Sequence, residues 1–93
     1  MDKNIPLSEA IRIGSKVTTQ IFGAYFDGRG GACAIGAATI AICGPEVAPG
    51  LGCGTFLRNI YPDAGKHFPT ITFRNDTGVP REEIADWLES IGL

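Results

Sequence analysis

Three cysteines recur at ten-residue steps, Cys33, Cys43 and Cys53, and a single histidine, His67, follows them. Thiols and an imidazole can hold zinc, form a disulfide, or act together as nucleophile and base. The spacing narrows these options. No C-x-x-C is present, and three thiols with one imidazole match no recognised zinc spacing. Cys33 and Cys43 bound one apolar run; on a helix they would stand about 15 Å apart at 1.5 Å rise per residue, and a disulfide needs Cα atoms within about 7 Å. Cys43 and Cys53 remain geometrically open across a loop. Cys53 with His67 is the reactive pair worth keeping, and the bland account is that all three thiols are small buried hydrophobes.

Two glycine-rich stretches invite comparison with phosphate cradles. "GRGGACAIG" and "GLGCGT" both fall short of G-x-G-x-x-G, because Cys33 and Thr55 occupy the third glycine's place and no strand clearly precedes either. Helix punctuation explains them as well. Glu82 and Glu83 are adjacent on a helix, where neighbours do not point the same way, so they suit the positive end of the helix dipole better than acid–base work. Trp87 lies on an apolar helical stripe and reads as a core anchor.

The elements that position these residues follow from periodicity. Leu7, Ile11, Gly14, Val17, Ile21 and Tyr25 recur at three- and four-residue steps, predicting an amphipathic helix capped by Ser8. Gly14 on its apolar face predicts close approach of another backbone. "FDGRGG" turns the chain, and residues 32–43 carry no charge on any face, as expected of a buried helix. A loop at residues 44–54 and a short helix at 55–61 precede Pro62. "PTITFRND" alternates Ile71 and Phe73 with Thr70, Thr72 and Arg74, the period-two pattern of an extended strand. "RNDTG" is a turn whose side chains satisfy local donors, and "PREEIADWLESIGL" begins the last helix at Pro80.

Whole-chain properties exclude several classes. Ninety-three residues suit one domain, residues 1–93, and 44% hydrophobic with 19% charged residues is globular composition. A net charge of −2 with scattered basic residues offers no patch able to neutralise many phosphates, so nucleic acid is not an expected partner. The apolar run is shorter than the roughly 20 residues that span a bilayer, and "MDKNIPLSEA" lacks a secretory signal's layout. The expected setting is the cytoplasm, with reduced thiols and no membrane partner.

The order "LSEAIRIG", "QIFGAYF", "CAIGAA", "FRND" and "REEIADWLESIG" resembles a family of short uncharacterised proteins from bacteria and phages. In that family an L-S-E-A-I-R-x-G helix precedes a C-A-x-G-A helix and an N-D turn leading to a terminal R-E-x-I-A-D-W helix. The match covers roughly half the chain. The resemblance implies no activity and no catalytic residue. Some relatives carry a paired-cysteine knuckle where this chain has only "LGCG", which speaks against a metal role.

The expectation is a mainly α, compact single domain: three to four helices around a central apolar helix, with one short extended segment. Its expected function is protein–protein interaction without catalysis and without cofactor. The alternative is a small-molecule binder or minor enzyme using the glycine-rich loops with Cys53 and His67. The expected interaction surface is Thr70, Ile71, Thr72 and Phe73, where an unpaired strand edge would let a second copy add as a homodimer.

Overall fold

The computed structural model describes residues 5–50 and 52–93. Its first helix, α1 (Leu7–Ser15), begins after an extended Pro6 whose carbonyl accepts from the Ala10 N–H at 3.1 Å. Ser8, expected to cap this helix, lies inside it and is buried. The helix stops far short of Tyr25. The β-branched run Val17–Thr18–Thr19 favours extended backbone. Thr19 and Gln20 form strand β1, which pairs in parallel with β2 (Gly31–Ala32) in the register Thr19 to Gly31 and Gln20 to Ala32. The segment read as the second half of the first helix is therefore a strand followed by an exposed loop.

The central helix, α2 (Ala34–Cys43), has every residue buried except Ala41 and Cys43, which are partly so. Its uniform apolarity requires that burial. α1 crosses it so closely that a Cβ built on Gly14 would overlap the Ala37 carbonyl, which is the close approach expected of Gly14. A Cβ on Gly36 would overlap the Tyr25 carbonyl instead, so this glycine admits the loop rather than α1. α3 (Cys53–Ile60) turns Leu57 inward, and a 3₁₀ segment, Pro62–His67, runs directly into α4 (Phe68–Asp76).

α4 corrects the extended reading of Thr70, Ile71, Thr72 and Phe73. Pro69 presets a helical φ in the first turn. The inward residues are Phe68, Ile71 and Asn75, three and four apart, whereas Phe73 is 68% exposed. Alternation over only four residues fits either period, and burial decides for the helical one. There is no strand edge there for a second copy to extend.

The last helix, α5 (Arg81–Ser90), starts after Pro80 and buries Arg81, Ile84, Ala85 and Leu88. Trp87 is only half-buried, with the Arg74 guanidinium 4.2 Å from its ring centroid and His67 edge-on at 5.6 Å. On the surface, Arg12 of α1 donates to Asp86 of α5 at 2.8 Å and pairs with Glu89 at 2.6 Å. These carboxylates raise the Arg12 pKa above its ordinary value. The result is a compact single domain of five α-helices and one two-stranded sheet among the described residues, one helix more than the upper expectation. Among those residues no helix is long and apolar enough to cross a membrane.

The α1–α2 crossing makes a direct prediction. Gly14→Ala should cost about 1 to 3 kcal/mol or more, because backbone must move. Gly50→Ala, with no atom near its Cβ position and no positive φ, should stay within about 0.5 kcal/mol. Urea unfolding of both variants measures this, and equal effects would place the tight crossing elsewhere.

Candidate functional site

The polar groups of this small core converge on the head of α2. A helix leaves its first N–H groups without partners, and here the head is buried. Cys33, at the N-cap, accepts at Sγ from the Gly36 N–H at 3.4 Å. Asn75, fully buried on α4, accepts at Oδ1 from the Ala34 N–H at 3.1 Å and from Gln20 Nε2 at 3.0 Å. Its Nδ2 donates to the Ile21 carbonyl at 2.8 Å and to Asp76 Oδ1 at 3.1 Å. Gln20 Nε2 also donates to the Val79 carbonyl at 2.8 Å. One amide thus joins α2, α4, β1 and the loop after β1.

Arg81 serves the acceptors. The residue is 7% exposed, and its guanidinium donates to the Ala32 carbonyl at 3.0 Å, to Thr18 Oγ1 at 2.7 Å and to the carbonyls of Thr18 and Ser15 at 2.8 and 3.4 Å. A continuing α1 would have directed the Ser15 carbonyl at the Thr19 N–H, which instead donates to Gly30 at 3.0 Å. Burial pulls the Arg81 pKa below its ordinary value.

On the outward side of this network lies an open cleft of about 460 Å³, lined by Gly23, Ala24, Tyr25, Cys33, Thr72 and Asp76. Residues 22–25 form one wall and α4 the other. Asp76 Oδ1 accepts from the Gly23 N–H at 2.9 Å and ties the walls together at one end. Tyr25, in the lining, is 45% exposed, and Phe22 and Phe73, next in the chain to the lining residues Gly23 and Thr72, are left 57% and 68% exposed. Burial pushes the Cys33 thiol up from its ordinary pKa. The Gly36 and Ile35 N–H groups oppose that shift, and negative charge at Cys53 and Asp76 adds to it.

Of the expected surface, Thr72 lines the cleft, Thr70 and Phe73 are exposed, and Ile71 is fully buried in the core. Cys53 is fully buried, and burial pushes its thiol up from its ordinary pKa. His67 lines a separate shallow cavity with Pro62, Asp63 and Lys66. None of the described cavities is lined by both Cys53 and His67. Among the described residues, no group of three or more His, Cys, Asp or Glu side chains is placed to hold a metal ion. Asn75 and Arg81 were invisible as long-range partners in the sequence. The available signal was the glycine turn that separates them ahead of the last helix.

Two outcomes test this network. Asn75→Ala should destabilise by about 2 to 4 kcal/mol, because it strands buried donors and acceptors as well as losing bonds; urea unfolding reads it. Burial also raises the thiols of Cys43 and Cys53. A raised folded-state thiol pKa gives stability that is intact below the unfolded value of about 8.5 and lost as pH rises through the folded value. The urea midpoint should therefore fall between about pH 7.5 and about pH 9.5, and Cys33→Ala with Cys53→Ala should flatten the slope. Against family models, curated proteins and solved structures the chain finds no match, so the site rests on its own geometry.

Proposed function

We propose that this protein is a docking module without catalytic activity, which takes a segment of a protein partner into the cleft between residues 22–25 and α4. The observation that carries the reading is an open cleft with exposed Tyr25 in its lining and the exposed rings of Phe22 and Phe73 next in the chain to lining residues, the three exposed aromatic side chains among the described large apolar residues left at the surface. Aromatic rings supply contact area at small entropic cost and recur at the centres of protein interfaces. Asp76 places the one acidic side chain in a lining that is otherwise uncharged. The segment that fits carries an apolar side chain next to Lys or Arg. The three free thiols support a reducing compartment, the cytoplasm.

Of the expected surface, Thr72 enters this proposal as a cleft-lining residue of α4 and Phe73 as its exposed neighbour, while Thr70 lies on another side of the helix. A second copy of the chain is the rival occupant. Catalysis by Cys53 and His67 has less support, since the first is sealed in the core and the second faces another cavity.

A random peptide library displayed on phage tests the proposal. Selected peptides should share an apolar residue beside a basic one. Thr72→Arg and Phe73→Ala should weaken their binding about tenfold or more without lowering the melting temperature, since both positions are exposed. Selection of nothing, or of peptides indifferent to these substitutions, refutes it. A concentration-dependent dimer in sedimentation that Thr72→Arg dissociates would give the cleft to a second copy instead.

A further inference from the structure

The wall formed by residues 22–25 is attached differently from the rest of the fold. Its two ends are pinned to the same residue: the Ile21 N–H donates to the Ala32 carbonyl at 3.3 Å, and Phe26 forms an antiparallel bridge with Ala32. Asn75 holds the Ile21 carbonyl, and the Tyr25 carbonyl accepts from the Cys33 N–H at 3.1 Å while lying against the bare backbone of Gly36. A loop with pinched, packed ends can move as a unit. All residues between those ends are exposed. Gly23, at φ +80°, has no atom within 4 Å of its Cβ position, so the tip is not packed on anything there. Beneath the tip is the cleft rather than core, and the bond that fastens it to α4, from the Gly23 N–H to Asp76, is itself exposed.

We infer that residues 22–24 are a flap, latched at its tip by Asp76, that lifts from α4 while Tyr25 and the rest of the fold stay in place and so uncovers the Cys33 thiol. The inference goes beyond the docking proposal and does not depend on what occupies the cleft. Lifting this tip breaks the exposed Gly23–Asp76 hydrogen bond and leaves the Tyr25 carbonyl on the Cys33 N–H, so it is far cheaper than global unfolding and the two should be separable in rate. Cys33 lines the cleft under this flap, whereas Cys53 lines none of the described cavities and is reached only when the core opens. The two thiols are therefore an internal pair of reporters, one for the flap and one for the whole domain.

Iodoacetamide labelling of the native protein, resolved to each cysteine by peptide mass spectrometry, reads both at once. Cys33 should react at least about tenfold faster than Cys53. Asp76→Ala removes the latch and should speed Cys33 by about two- to tenfold, the population change for one hydrogen bond, with Cys53 unchanged. Gly23→Ala strains the closed tip at its positive φ and should act in the same direction, which keeps the test decisive if Asp76→Ala fails to fold. Equal rates at the two cysteines in the parent protein, a Cys33 rate indifferent to the latch, or a variant that speeds both thiols in the same proportion would each overturn the flap.

Discussion

α2 has no polar face, and most of what surrounds it follows from that constraint. A helix apolar on every side must be enclosed, but enclosure also buries its N-terminal donors and the carbonyls of the chain entering it. Water cannot serve groups sealed from it, so protein must. Cys33, Asn75 and Arg81 do so, and two of these come from more than forty residues away along the chain. Their bonds determine where α4 must end and α5 must begin. The turn between those helices is thus a cap on α2 as much as a connection.

The same requirement explains why α1 is short and the sheet is small. Arg81 takes the carbonyls of Ser15 and Thr18, which a continuous helix would use internally, and Gln20 reaches from β1 to Asn75 and Val79. Two residues of parallel strand suffice because their role is to guide the chain past the head of α2. Small side chains make room for this traffic. Gly14 admits Ala37 on one side of α2, and Gly36 admits Tyr25 on another.

Features encoded by composition over many residues were legible in the sequence. The buried central helix, the terminal helix after Pro80 and the close approach at Gly14 each follow from local pattern and need no knowledge of partners. What escaped was set by tertiary contacts. Thr70 to Phe73 alternates over too short a span to separate strand from helix, and only the burial of Phe68, Ile71 and Asn75 resolves it. Val17 to Thr19 continues the helical period of α1 yet yields to β-branching and to Arg81. The turn motif predicts that Asn75 and Asp76 satisfy local donors, but their side chains reach Ala34, Ile21 and Gly23 instead. Arg81 looked like an ordinary basic residue in the first turn of a helix. The cleft was equally hidden, because its walls lie about fifty residues apart in sequence, as the 53-residue separation of Gly23 from Asp76 shows.

Neighbouring residues at the end of α4 divide the work between core and surface. Asn75 points inward and caps α2, whereas Asp76, one position on, turns to the loop and enters the cleft lining. Thr72 stands one helical turn before Asp76 and so shares its face. The cleft's geometry is therefore inherited from the buried network: moving Asn75 would move both cleft-facing residues with it. The cleft does not require a separate scaffold, because the contact that makes burial of α2 tolerable also sets the distance between its two walls.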